Sequence, residues 1–335
     1  MTLHTPDARG LAIGRRTLLG SAAAAWGTLA MPAFAQSPYP NRPVKFIVPF
    51  PAGGPVDTTG RVVAQKLSEI WGQQGIVDNR AGAGGIIGAE IAAKLPADGY
   101  NLFVCRIHHS VLPSLKPKLG YDIGKDFVPV SFGAMFPVVL VAHPDVPVKT
   151  VADVIALDKR SPGKLSFGSA GNGGGTHLAG ELFNMQAGTH LLHVPYKGSA
   201  PAMTDLLGGQ VQFMFSDTPT ALPQIKAGKV RAIAVASARR SALLPDVPTV
   251  AESGLPGYEA YSWAAFMAPA GTPKDIVQRL SVDIGKALSD PQVKQRLHDA
   301  GAEAMPTTPE IFDKMLQTEI AKWAKVVRTA NIQID

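Results

Sequence analysis

At 335 residues the chain is longer than one ordinary hydrophobic core supports, so two lobes are expected. Hydrophobic residues make up 46% and charged residues 17%, with mean hydropathy near zero, which excludes wholesale disorder, a coiled coil and a polytopic membrane protein. The net charge of +6 comes from dispersed basic residues, so no nucleic-acid partner is implied, and the single cysteine, Cys105, rules out an internal disulfide and any multi-cysteine metal site.

Residues 1–35 read as a cleaved export signal. Arg9, Arg15 and Arg16 precede a short Ala-rich apolar stretch from Leu18 to Ala30, and Ala33-Phe34-Ala35 supplies the small residues that cleavage before Gln36 requires. The paired arginines of Gly14-Arg15-Arg16-Thr17-Leu18-Leu19 fit a twin-arginine signal, although Sec signals carry arginines too. Removing this segment leaves 300 residues with a net charge of +4. Export without disulfides points to a bacterial periplasm, where ATP, NAD and GTP are not at hand, and no cofactor is expected. Cys105 is then a lone thiol, read as a small buried core residue.

Strand-like runs follow, bounded by Gly, Pro, Asp and Asn: Val44–Phe50, Gly75–Asp78, Asn101–Cys105 and Phe127–Met135 in the first half. Val138–Ala142, Leu165–Ser169, Leu191–Val194, Gln212–Phe215 and Val230–Ala236 follow in the second. Between them Val62, Val63, Leu67, Ile70 and Trp71 make a helical stripe. Ile86–Lys94, Val151–Arg160, His177–Gln186, Ala200–Gly208 and Pro219–Ala227 read as further helices. From Pro273 onward the pattern is mostly helical. Alternating β and α elements imply two parallel or mixed doubly wound sheets.

One echo between the halves carries chemistry. Val44–Phe50 runs into Pro51-Ala52-Gly53-Gly54-Pro55-Val56-Asp57 and then a helix; Leu165–Ser169 runs into Ala170-Gly171-Asn172-Gly173-Gly174-Gly175-Thr176 and then a helix. A strand, a small-residue loop and a helix N-terminus present free backbone N–H groups and the positive end of the helix dipole, which together suit an anion. Each loop alone reads as a tight turn, with Asp57 as a helix cap. The pair, one per lobe, reads as a clamp on a small anion. No P-loop, dinucleotide fingerprint, G-x-S-x-G elbow or H-E-x-x-H motif occurs, so neither a catalytic constellation nor a metal site is expected.

The run Val48-Pro49-Phe50-Pro51-Ala52-Gly53-Gly54-x-x-Asp57 resembles the Bug family, the extracytoplasmic solute receptors of tripartite tricarboxylate transporters. The resemblance continues in order through Asp78-Asn79-Arg80-Ala81-Gly82-Ala83-Gly84-Gly85, Asp98-Gly99-Tyr100, Lys125-Asp126-Phe127 and Pro162-Gly163-Lys164-Leu165. It extends through His193-Val194-Pro195-Tyr196-Lys197-Gly198, Leu244-Pro245-Asp246-Val247-Pro248-Thr249, Gly254-Leu255-Pro256-Gly257-Tyr258-Glu259 and Ala268-Pro269-Ala270-Gly271-Thr272-Pro273.

The resemblance implies an α/β, two-lobed periplasmic-binding-protein fold (type II-like), with residues 36–136 plus 259–335 as lobe 1, 137–258 as lobe 2, and two connecting strands. The ligand it implies is a small organic carboxylate held in the interlobe cleft by backbone amides and small hydroxyls. By position, the contacts would be Phe50, Ala52, Gly53 and Gly54 from the first lobe and Ser169, Asn172, Gly174 and Thr176 from the second. Tyr196, Lys197 and Gly198 follow one cleft-facing strand, and Asp217 ends another. Two departures stand out. Gly174 replaces the usual Ser or Thr, and Arg106-Ile107-His108-His109-Ser110 replaces a Ser/Thr-rich loop. Arg106 could fork a ligand carboxylate, and His108 and His109 could make binding pH-dependent near ~6.5.

The expected role is a periplasmic receptor, monomeric and not an enzyme, that closes on its ligand and meets the membrane subunits of a transporter. Two alternatives stay open: delivery of the closed form to a sensor ectodomain, or a periplasmic enzyme using Arg106, His108 and Asp217.

Overall fold

The computed structural model describes residues 1, 2, 39–116 and 118–332; nearly all of the expected export signal lies outside the described residues. In chain order the elements are β1 (Val44–Val48), α1 (Pro55–Trp71), β2 (Gly75–Asn79), α2 (Ile86–Ala93), β3 (Asn101–Arg106) and α3 (His108–Leu115). Next come β4 (Phe127–Ala142), α4 (Val151–Arg160), β5 (Ser166–Ser169), α5 (Gly175–Ala187), β6 (Leu192–Pro195), α6 (Ser199–Leu207), β7 (Phe213–Asp217), α7 (Thr218–Lys226) and β8 (Arg231–Val235). The chain ends with β9 (Tyr261–Pro269), α8 (Lys274–Ser289), α9 (Pro291–Asp299), β10 (Glu303–Ala304) and α10 (Pro309–Thr329).

The two expected mixed sheets are present, β2-β1-β3-β9-β4 with β10 and β4-β7-β5-β6 with β8, and the long β4 belongs to both, so the strands follow one continuous path. Parallel pairs (β1 with β2 and β3, β5 with β6 and β7) form the two wings, and antiparallel pairs with β4 and β9 join them. Proline at 137 makes Phe127–Met135 and Val138–Ala142 look like two strands, yet they form the single long β4. Its first part pairs with β9 as far as Pro137↔Tyr261, and from Val138 on it pairs with β7. Pro137, which has no N–H to give, thus sits where β4 changes partners, a position proline tolerates. The way back runs beside it, with Ala236 N–H donating to Val138 O (2.7 Å) and Ala260 N–H to Ala236 O (2.8 Å).

β9 had no strand signature of its own. Its alanines weaken the β pattern, but every residue after Tyr261 is buried, because β9 is sandwiched between β3 and β4. The core runs continuously from Ile47, Phe103 and Phe132 to Phe167, Phe183 and Phe215, with Trp263 and Trp323 filling the space under α10. Both indole N–H groups donate to the buried Glu319 carboxylate (3.3 and 2.8 Å), so the largest side chains of this region carry no unmatched donor. Cys105 is fully buried, its thiol facing Ala265 O at 3.5 Å. Among the described residues no helix is long and apolar enough to cross a membrane.

Candidate functional site: the crevice at the strand ends

The carboxyl ends of β1, β3, β5 and β7 carry Phe50 and its glycine loop, Arg106, Ser169 and its glycine loop, and Asp217. In open α/β sheets the crevice outside such strand ends is where ligands sit.

The first loop is fastened from behind. Gly53, at φ +83°, donates its N–H to Asp57 Oδ2 (2.8 Å); Asn79 Nδ2 donates to Asp57 Oδ1 (2.8 Å) and to Phe50 O (3.0 Å), and Arg61 Nε donates to Asp57 Oδ2 (2.8 Å). Burial works against the Asp57 charge, but the bonds from Arg61, Gly53 and Asn79 outweigh it and hold this carboxyl below its ordinary value. Asp57 therefore braces the turn ahead of α1, whose N-cap is Gly54. The Gly53 amide is taken, while the Ala52 and Gly54 amides donate no hydrogen bond among the described residues. Gly53 also lines a cavity of about 270 Å³ with Pro55, Thr58, Pro219, Leu222 and Gly301.

The second loop is braced by two histidines. Gly173 N–H donates to His177 Nδ1 (3.0 Å), Ser169 Oγ pairs with His193 Nε2 (2.6 Å), and the two imidazoles stack at 3.7 Å and 10°. Burial, with His177 alongside, pushes the His193 imidazole down to about 3, so this ring is neutral. Thr176 Oγ1 accepts from Ala170 N–H (3.0 Å), and Ser169 and Thr176 are both buried, so both hydroxyls serve the loop itself. Asn172 is exposed, and Gly174 is the N-cap of α5 with ordinary extended dihedrals. Nothing in the sequence links His177 to His193; their common use appears only once β6 and α5 are adjacent.

Between the loops stands the segment that departs from the family pattern. It is not a loop: from His108 it forms α3, which places His108 against the second lobe. A Cβ on Gly174 would lie 3.1 Å from His108 Cε1 and Nε2, so the bare glycine makes room for the imidazole. The two departures are halves of one contact. Phe50 meets the His108 ring edge-on at 5.9 Å and carries the Arg106 guanidinium 5.8 Å from its centroid. Arg106 faces inward and is already engaged: Nη2 lies 3.1 Å from Asp217 Oδ2, and Nε and Nη2 both donate to Ser262 Oγ (3.2 and 3.1 Å). Ser262, on β9, carried no sequence signal for this role. Burial raises the Asp217 carboxyl and the guanidinium opposes it, leaving it above its ordinary value. Asp217 Oδ1 and His108 Nδ1 are buried without a hydrogen-bond partner among the described residues.

The pH response expected near ~6.5 from His108 and His109 is corrected. Burial, helped by Arg106 and by the neighbouring ring, drives His108 well below that value, and burial pushes His109 down to about 4 while its Nδ1 accepts from Arg106 N–H (2.9 Å).

Tyr196 is turned to its own helix, its hydroxyl donating to Asp205 Oδ2 (2.7 Å), with burial first and Asp205 second pushing the phenol up to about 12. Lys197 is exposed, and Gly198, at φ +112°, ties its N–H to Ala170 O (3.1 Å). The structure thus gathers Phe50, Arg106, His108, Gly174 and Asp217 into one cluster, while the Tyr196 hydroxyl is spent on Asp205. Beside this cluster a cavity of about 370 Å³ opens between Ala83-Gly84 and Asn172-Gly173, walled also by Ile86, His108, Leu112, Leu115 and Lys116. Among the described residues no group of three or more His, Cys, Asp or Glu side chains is placed to hold a metal ion.

Two parallel wings joined by antiparallel connecting strands, with helix N-termini and a glycine loop from each wing at a shared crevice, define a two-lobed solute-binding protein. The chain belongs to the tripartite tricarboxylate transporter receptor family, whose model matches residues 59–332. Protein BugT of Bordetella pertussis is 40% identical over 298 residues, 88% of this chain and 91% of that one. Among solved structures, R. palustris Rpa4515 with adipate is 38% identical (TM-score 0.79; 88% of this chain, 99% of that one). MatC (Rpa3494) from Rhodopseudomonas palustris with bound malate is 34% identical (TM-score 0.74; 86% of this chain, 100% of that one). The protein is a substrate-binding receptor of this family and not an enzyme.

Proposed function

We propose that the protein is a periplasmic receptor, freed of residues 1–35, which captures a small organic carboxylate in the crevice and delivers it to a tripartite tricarboxylate-type membrane transporter. The carrying observation is the pair of glycine loops ahead of α1 and α5, fastened from behind by Asp57 and by the His177–His193 stack. Loops braced in this way keep their amides in place for an anion without rearrangement on binding. Lobe 1 comprises residues 36–136 and 259–335 and lobe 2 residues 137–258. The contacts come from Ala52, Gly54, Asn172, Gly174 and His108, with Arg106 and Asp217 at the base. The relatives that bind adipate and malate support a carboxylate as the ligand.

A thermal-shift screen of the chain from Gln36, refolded to strip carried-over ligand, against mono-, di- and tricarboxylates and aromatic acids tests this reading. A ligand at ~100 times its dissociation constant stabilises by ~2.7 kcal/mol. For lobes of this size that is a rise of roughly 5–10 °C. A shift confined to one class of acid supports the reading, and no shift with any acid refutes it.

A further inference from the structure

Two residues of the β3–α3 junction reach across the crevice. Arg106, in lobe 1, places Nη2 3.1 Å from Oδ2 of Asp217 in lobe 2, with the two side chains 12% and 4% exposed. Just beyond it in the chain, the His108 ring sits against Gly174, where a Cβ would lie 3.1 Å from its Cε1 and Nε2. Asp217 is the N-cap of α7 and Gly174 the N-cap of α5, so one junction of lobe 1 grips the starting ends of two helices of lobe 2.

Both ends are shaped for that grip. The Asp217 side chain makes no capping bond and turns instead to Arg106. Gly174 has φ −80° and ψ 163°, dihedrals open to any residue, so its own backbone does not demand a glycine. The next residue, Gly175, is bare as well, and a Cβ there would meet Ser262 Cβ at 3.3 Å and Ile107 Cγ2 at 3.5 Å, both from lobe 1. Ser262 Oγ in turn accepts from Arg106 Nε and Nη2. On the flank, Thr218 Oγ1 of lobe 2 donates to Gly301 O of lobe 1 (2.7 Å). Each of these contacts joins the lobes through the protein's own atoms. Desolvation offsets much of the attraction in a buried ion pair, so the pair sets where the lobes meet. Apolar contact drives the closure: Ile107 is fully buried, and Phe50 meets the His108 ring edge-on at 5.9 Å.

We propose that Arg106 and His108 form a two-pronged catch that holds the lobes closed with no acid bound, so that the open form is the minor one and release of the catch admits the ligand. The proposal goes beyond the receptor reading: it uses the lobe division given there and is independent of which acid binds. Asp217 and Gly174 are the sockets, one electrostatic and one steric.

The test is a double electron–electron resonance distance measurement on the chain from Gln36, refolded from urea in carboxylate-free buffer. Spin labels are carried on cysteines placed at exposed Ala81 in lobe 1 and exposed Lys197 in lobe 2, while Cys105 is fully buried and stays unlabelled. With the crevice unaltered a single short distance is expected, the open form making up ~10% or less. Gly174→Leu, whose side chain meets the His108 ring, wedges the lobes apart and makes the long distance the major one, with helix content by circular dichroism unchanged. Arg106→Met removes the other prong and moves the population the same way. The distances in the unaltered crevice decide the matter even where a variant fails to fold. A long distance that dominates there, or a distribution that either folded variant leaves unchanged, overturns the catch and leaves the receptor reading standing. No thermal shift with any acid refutes the receptor reading and leaves the catch to be decided by the distances alone.

Discussion

Removing the Arg106 side chain tests the centre of the crevice most directly. In Arg106→Met the buried Asp217 carboxylate loses the one side-chain partner it has among the described residues, the guanidinium on Oδ2, while Oδ1 takes no hydrogen bond there. Breaking a buried pair from one side costs ~3–5 kcal/mol. Asp217→Asn leaves Arg106 bonded to Ser262 Oγ and costs less, ~1–2 kcal/mol. The double variant Arg106→Met/Asp217→Asn costs only about as much as Asp217→Asn alone, ~1–2 kcal/mol, which gives a coupling energy of ~3–5 kcal/mol in a double-mutant cycle. If the lobes part to let water reach Asp217, the loss appears as an expanded radius instead of a lower unfolding free energy, so urea denaturation is paired with small-angle scattering. The Asp217 carboxyl is raised above its unfolded value, so the folded state binds more protons, and in Arg106→Met the deficit shrinks as pH falls toward the ordinary carboxylate range. An Arg106→Met protein that melts within ~0.5 kcal/mol of its parent with unchanged radius, or a cycle that adds without coupling, refutes the buried-pair account.

Gly174→Ser adds a hydroxyl but puts a Cβ 3.1 Å from the His108 ring; a loss of ~1–3 kcal/mol in unfolding free energy is expected, relieved by His108→Ala, and strict additivity in denaturation counts against the contact. Gly88→Ala drives a Cβ to 2.6 Å from Pro49 Cβ and 2.7 Å from Arg80 O; with backbone as the obstacle, a loss of ~1–3 kcal/mol or more is expected in chemical denaturation. His193 is held down to about 3 and His109 to about 4, both below their unfolded value, so each contributes stability above pH ~6.5 that is lost as pH falls through the folded values. His193→Gln should flatten the fall in unfolding free energy measured between pH 6.5 and 4, and an unchanged slope refutes that assignment.

Local pattern settled a good deal of this protein in advance. Short continuous apolar runs gave β1 and β3 their place, as strands buried on both faces, and period-3.6 hydrophobicity gave α4 its place, because it buries one face. The Pro-Ala-Gly-Gly and Gly-Asn-Gly-Gly-Gly runs marked the two loops, since only small residues allow Gly53 and Gly173 their positive φ. Family membership, too, was legible, as an ordered series of short motifs. What the sequence could not show is what each loop's neighbours do with it. The Gly53 amide is taken by Asp57, Tyr196 turns to Asp205, and His177 and His193, sixteen positions apart, become one stacked brace. Likewise Arg106 meets Asp217 across 111 residues and Ser262 across 156, and Gly174 is empty because His108 fills its place. Hydrogen bonding is satisfied by whichever partner the fold brings within about 3 Å, and sequence separation carries no trace of that distance. Composition and periodicity therefore gave the α/β character and the ordered motifs the family, while the charge of its crevice was decided by tertiary contact.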